Sequence, residues 1–151
     1  MINAVGLQNP GIEAWKKSYL PALRETGARI VASIWGRSVD EYRQAAKQLR
    51  GVEGIVALEV NISCPNLEGR GEMFAHSREL TRLAIRASVE ANLPIWAKLS
   101  PNVTDISEIA FAAIESGAEA LTLSNTLMGM VIDTSTRRPV LGNGGGGVSG
   151  P

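Results

Sequence analysis

The one cysteine of the chain, Cys64, stands in Asn61-Ile62-Ser63-Cys64-Pro65-Asn66, directly behind the apolar run Gly54-Ile55-Val56-Ala57-Leu58-Glu59-Val60. A run opened by glycine and closed abruptly by Asn, Ser and Pro reads as a buried strand and the turn at its carboxyl end. In parallel α/β folds, ligands bind at that end of the strands. A lone cysteine is often no more than a small buried hydrophobe. Between Ser and Pro, with Asn on either side, it is a poor core residue and a fair reactive thiol. Lys98 is unusual in another way. It lies inside Leu93-Pro94-Ile95-Trp96-Ala97-Lys98-Leu99, and lysine is almost never fully buried without a partner. Its plain reading is a strand-end lysine whose ammonium reaches water. Asn3, Asn61, Asn66 and Asn125 lie near expected strand ends. Each alone suits a turn, but a set of four carboxamides offers donors and acceptors together.

The elements that must position these residues alternate. Residues 1–7 read as a short strand broken by Gln8-Asn9-Pro10-Gly11. Residues 11–26 show helical spacing (Ile12, Trp15, Leu20, Leu23), kinked or interrupted at Pro21 and closed by Gly27. A strand at 29–34 precedes a helix capped by Ser38, with Glu41 completing a capping box, that runs to about Leu49 and stops at Gly51. The strand at 54–60 leads to the hexapeptide. Residues 77–91 form an amphipathic helix, 93–99 a strand cut off by Ser100-Pro101-Asn102, and Thr104 or Asp105 caps the next helix, which runs to Gly117. Residues 118–123 are a fifth strand.

Strict β-α alternation means parallel strands with helical crossovers. Polar connections after the strands and short ones after the helices suit a partial (β/α)8 barrel of about five strands and four helices. A doubly wound sheet is the rival architecture. Beyond Ser124 no helical pattern returns. Met130-Val131-Ile132-Asp133 and Arg138-Pro139-Val140-Leu141 read as a β-hairpin insertion laid over the barrel mouth. The glycine-rich stretch 142–150 has no following element and reads as a linker or as backbone that must approach a ligand. Both ends look cut.

At 151 residues the chain is the size of one domain, and its charges balance to zero. That balance gives no sign of a nucleic-acid partner or a membrane surface. No apolar stretch approaches the roughly 20 residues that cross a bilayer, and no signal peptide is visible. One cysteine excludes an internal disulfide framework and a thiolate-rich metal site, so no metal is expected and a reducing cytoplasm is the natural setting. His76 has no second ligand candidate nearby and reads as a surface loop residue. The charged residues of 68–72 and Arg137-Arg138 read as solvated loops.

Several separated segments resemble dihydroorotate dehydrogenase. They are Asn3-Ala4-Val5-Gly6-Leu7-Gln8-Asn9-Pro10-Gly11, the hexapeptide at 61–66, Trp96-Ala97-Lys98-Leu99-Ser100-Pro101-Asn102 and Leu123-Ser124-Asn125-Thr126. Gly129-Met130-Val131-Ile132-Asp133 and Gly146-Gly147-Val148-Ser149-Gly150-Pro151 belong with them. The resemblance covers the whole chain in order. It is greatest to class 1 enzymes of the NAD-linked 1B type, through Gly6 to Gly11 and the cysteine at the base position. The quinone-linked class carries serine there.

The resemblance implies an FMN enzyme of pyrimidine (UMP) biosynthesis that oxidises dihydroorotate to orotate, with Cys64 as catalytic base. It implies substrate contacts at Asn3, Ala4, Val5, Gly6, Leu7, Asn61, Asn66, Asn125 and Thr126. Flavin contacts are implied at Ser33, Asn61, Lys98, Ser124 and Gly150, with Lys98 beside the ring. Ser33 departs from an asparagine common in related enzymes. An FAD and iron–sulfur electron-transfer subunit is the implied partner, in a homodimer or heterotetramer. The family barrel has eight strands, so residues 1–151 are expected to be the central part of a flavin-binding domain truncated at both ends. The chain alone is expected to bind flavin weakly or not at all and not to turn over. The alternatives are a dihydropyrimidine dehydrogenase-like flavoenzyme, which shares Asn-x-Ser-Cys-Pro, and a non-catalytic barrel fragment. Asn66 and the lack of a second cysteine count against the first.

Overall fold

Four apolar segments alternating with amphipathic helices build a four-stranded parallel sheet whose strands lie side by side in chain order. The computed structural model describes residues 1–63 and 73–150. The sheet strands are β2 (Ile30–Ile34), β3 (Ile55–Asn61), β4 (Ile95–Lys98) and β5 (Ala120–Thr122). The crossovers are α3 (Val39–Leu49), α4 (Arg78–Ser88) and α5 (Ile106–Ile114). Ahead of them stand β1 (Ile2–Asn3), α1 (Ile12–Ser18) and α2 (Leu20–Glu25). Behind them lie β6 (Leu127–Gly129), β7 (Ile132–Asp133), β8 (Arg138–Pro139) and β9 (Gly146–Val148).

Side chains alternate across a strand, so each strand of the sheet has two faces. Ile34, Leu58, Val60, Ile95 and Ala97 are buried in one core with Tyr42, Leu49, Ala84, Ile85 and Ile109 from the helices. The other face carries Ser33, Glu59, Trp96, Lys98 and Thr122, exposed or half-buried, and the sheet among the described residues is open. Parallel strands with their helices on one face are the arrangement of a partial (β/α) barrel.

The helix ends follow their sequence signals. Ser38 Oγ accepts from Glu41 N at 3.2 Å, and the Glu41 carboxylate reaches back to Arg37 N at 2.7 Å. That is one residue earlier than in the usual capping box. Ser77 caps α4 and Asp105, rather than Thr104, caps α5. Pro21 falls in the first turn of α2, where its missing N–H costs nothing, and the helix expected over 11–26 is two helices meeting at Tyr19.

Two expectations need correction. The first strand does not join the parallel sheet. It is two residues long and pairs antiparallel with β9, Ile2 opposite Val148 and Asn3 opposite Gly147, while residues 4–10 are exposed. Alternation along the chain does not dictate pairing for so short a segment. The glycine-rich stretch, expected as a linker or as backbone approaching a ligand, is not a linker, because β9 is the middle strand of the sheet β1-β9-β6. A Cβ on Gly146 would run into the Asn3 carbonyl oxygen, and one on Gly147 into Thr126 Oγ1. Its glycines let three backbones close on one another. The expected hairpin is present, with Asp133 opposite Arg138 and Val140 N donating to Val131 O at 2.9 Å. No helix among the described residues is long and apolar enough to cross a membrane.

Candidate active site

The carboxyl ends of β3, β4 and β5 bring three of the sequence-selected residues together. Asn61 and Lys98 are register partners on adjacent parallel strands, as are Lys98 and Thr122, so the three share one row on the open face. Beyond β5 the chain turns back. Asn125 N donates to Leu99 O at 3.0 Å, and Asn125 Nδ2 approaches Asn61 Oδ1 at 3.4 Å. Lys98 is half-buried, and its ammonium makes no hydrogen bond or ion pair among the described residues. Among the described residues it is a strand-end cation with no counter-charge.

Around this row lie two clefts. Lys98, Ser124, Asn125, Thr126, Leu127 and Gly150 line one of about 480 Å³. Gly6, Leu7, Ser33 and Asn61 line the other, of about 400 Å³, so the exposed segment after β1 is brought to the end of β3. Asn3, Ala4 and Val5 stand apart from both, in a shallower cleft with Leu141 and Asn143. Ser33 donates to the Glu59 carboxylate at 2.9 Å. Cys64 and Asn66, and the charged residues of 68–72, lie outside the described residues. His76 is exposed.

The ends of the segment that carries Cys64 are firmly held. Tyr42 Oη donates to the Asn61 carbonyl at 2.7 Å in the buried core, and its ring meets Phe74 edge-on at 5.1 Å. Ala75 N donates to Ile62 O at 2.9 Å, and Ile62, Phe74 and Ala75 are all buried. Asn61 Oδ1 accepts from Ser63 N at 3.2 Å. Ser63 Oγ is buried and finds no hydrogen-bond partner among the described residues.

Three residues were not singled out from sequence. Glu59 accepts from Ser33 through one oxygen and from Thr122 Oγ1, at 2.8 Å, through the other. Its signal was the one Lys98 gave, a charge inside an apolar strand. Thr122 carried no comparable mark. Asn102 fastens the segment after β5 to the end of β4, and its marks were the strand-ending Ser100-Pro101-Asn102 and its place in a family-resembling segment.

The family model for dihydroorotate dehydrogenase matches residues 1–151, the entire chain. The chain belongs to the dihydroorotate dehydrogenase family. It is 54% identical over 152 residues to the dihydroorotate dehydrogenase B (NAD(+)) catalytic subunit of Desulforudis audaxviator, covering 100% of this chain and 50% of that protein. The protein of the same description from Geobacillus kaustophilus is 46% identical over 155 residues, with 100% of this chain and 49% of the relative covered. The chain thus spans about half the length of the curated relatives it matches. Among solved structures, the carboxyl transferase domain of Rhizobium etli pyruvate carboxylase with pyruvate superposes with a TM-score of 0.56 at 19% identity. That match covers 75% of this chain and 20% of the other. The same domain with pyruvate and biocytin gives 0.53 at 18%, covering 68% and 17%. These two likenesses concern fold alone.

Family membership implies a flavin, and the open face of the sheet fits one. The Lys98 cleft has the volume of an ordinary small-molecule site and sets one cation among neutral polar and apolar groups. Gly150 takes a left-handed φ of +79°, and no atom lies within 4 Å of where its Cβ would stand. Its backbone is free to approach a planar group closely.

Proposed function

We propose that the chain is the central part of a flavin-binding (β/α) barrel whose complete form oxidises dihydroorotate to orotate in de novo pyrimidine synthesis. The observation that supports this most is the meeting of Asn61, Lys98 and Asn125 at the carboxyl ends of β3, β4 and β5, in a chain of this family. Dihydroorotate is a small ring of amides bearing a carboxylate. Carboxamides answer it because each offers a donor and an acceptor in one plane. Asn3, Asn61, Asn66, Asn125 and Thr126, with the backbone of Ala4, Val5, Gly6 and Leu7, are the groups assigned to hold it.

Oxidation removes a proton from substrate C5 and a hydride from C6. Cys64, which follows Ser63 in the chain, is the base assigned to the proton. An unperturbed thiol has a pKa of about 8.5, so the rate is expected to rise with pH until the thiolate is fully formed. The cofactor assigned is FMN, which when bound supplies the two-electron acceptor for the hydride. Ser33, Asn61, Lys98, Ser124 and Gly150 are the residues that would hold it. Lys98 would set a positive charge against electron density gathering on the ring, in a site whose walls weaken the screening by water.

The relatives are named as catalytic subunits of an NAD(+)-linked enzyme. On that basis a second subunit bearing FAD and an iron–sulfur cluster is the proposed electron acceptor, in a cytoplasmic heterotetramer. The test is anaerobic reduction of the full-length, flavin-loaded protein. Dihydroorotate is expected to bleach the flavin absorbance and dihydrouracil to leave it intact. Bleaching by dihydrouracil alone would overturn the assignment in favour of a dihydropyrimidine dehydrogenase.

A further inference from the structure

Asn102 stands just past β4 and uses every polar atom of its side chain. Its Nδ2 donates to Thr126 O at 2.9 Å and to Ser100 Oγ at 3.1 Å. Its Oδ1 accepts from Met128 N at 2.8 Å. Ser100 is itself buried, and its Oγ also accepts from Asn102 N at 3.2 Å. One side chain therefore bridges the strand that carries Lys98 and the segment that carries Ser124, Asn125 and Thr126. That segment hydrogen-bonds the sheet through Asn125 N, then leaves it to become β6. Asn102 fixes it at two further points, on either side of Leu127.

We propose that Asn102 is a positioning residue for substrate recognition. It holds the Asn125–Thr126 turn at a set height above Lys98, so that ring-binding carboxamide and cation face one ligand together. This rests on the dihydroorotate reading for the identity of that ligand, while the latch itself does not. The direction of each hydrogen bond matters. A carboxamide can donate to the Thr126 carbonyl and accept from Met128 N at once. An ionised carboxylate accepts from Met128 but repels the carbonyl. A protonated carboxyl restores both.

The experiment uses the full-length flavoprotein, with orotate binding read from the shift in flavin absorbance, and the variants Asn102→Ala and Asn102→Asp. Asn102→Ala is expected to weaken orotate roughly tenfold, about the effect of one well-placed hydrogen bond, with flavin content unchanged. Asn102→Asp is expected to bind weakly at about pH 8 and to recover towards about pH 5 as its carboxyl, raised by the facing carbonyl, takes up a proton. Wild type should not show that recovery. Hydrogen exchange at Met128 is expected to quicken in Asn102→Ala with or without ligand. Unchanged exchange, or unchanged orotate affinity in Asn102→Ala, would overturn the proposal, and so would an Asn102→Asp profile parallel to wild type. Failure of the wild type to bind orotate at all would instead overturn the substrate reading, leaving the exchange measurement to judge the latch.

Discussion

The Glu59 carboxylate on β3 reaches past β4 to accept a hydrogen bond from Thr122 Oγ1 on β5 at 2.8 Å. Its other oxygen accepts from Ser33 on β2 at 2.9 Å. One side chain thus spans all four strands on the open face of the sheet, just below the row that holds Asn61 and Lys98. Removing it leaves two hydroxyls without their acceptor and unties β2 from β5. Glu59→Ala is expected to destabilise by about 1–3 kcal/mol, and Glu59→Gln, which keeps one acceptor, by less. Urea titration checks both, and equal losses would mean that the hydrogen bonds are not what matters.

Tyr42 supports the site from behind. Its hydroxyl donates to the Asn61 carbonyl inside the core. Tyr42→Phe keeps the ring and its edge contact with Phe74 but strips a buried carbonyl of its donor. The expected cost is about 1–3 kcal/mol in stability, measured by thermal or urea unfolding. In the full-length protein, turnover is expected to fall further than stability alone explains, since Asn61 also leads into the Cys64 segment.

The close approach of β9 to its neighbours gives a sharper test. A Cβ at Gly147 would strike Thr126 Oγ1. Gly147→Ala is expected to destabilise, and pairing it with Thr126→Ser, which leaves the hydroxyl, should relieve little. Pairing it with Thr126→Ala should recover part of the loss. Unfolding midpoints of the three variants decide whether this contact is what demands glycine.

The hairpin carries a pH dependence of known sign. Asp133 accepts from Thr136 N and Ser135 N, each at 2.8 Å, and these bonds, that from Thr136 first, hold its carboxyl below the ordinary carboxylate range. A depressed folded pKa means the contribution is complete above the unfolded value and is lost as pH falls through the folded one. Wild type is therefore expected to lose hairpin stability below about pH 4, a loss that Asp133→Asn lacks. In the same turn Arg137 sits at φ +57°, where glycine is favoured. Arg137→Gly is expected to stabilise the protein slightly, read by amide exchange at Val140.

Much of this was legible in the sequence, for reasons that differ by element. β3 and β4 announced themselves because their buried side chains form apolar runs closed by polar turn residues. Ser38 and Asp105 were visible because a cap acts over two or three residues of chain. Lys98 and Asn61 stood out as polar groups at the ends of such runs. What stayed hidden is long-range. Residues 146–148 carry almost no side chain, so nothing local marks them as a strand until Asn3 and Thr126 are seen pressing on either side. Glu59 finds Thr122 across 63 positions of chain, and Asn102 finds Met128 across 26. Neither pairing leaves a periodic trace.

Among the described residues one face of the sheet is uncovered, and the chain spans about half the length of its relatives. Purified alone, it is expected to retain little FMN and to show no dihydroorotate oxidation, whereas the full-length protein is expected to bind FMN and to oxidise dihydroorotate. Flavin fluorescence after gel filtration checks this, and stoichiometric FMN on the short chain would contradict it.

The central claim is that Cys64 removes the substrate proton. The direct measurement is the rate of flavin reduction by dihydroorotate in anaerobic stopped flow, comparing full-length wild type with Cys64→Ala. The claim requires a fall of roughly 10²–10⁴-fold, the usual worth of a general base, with orotate affinity and flavin content preserved. Reduction by Cys64→Ala at the wild-type rate would contradict it.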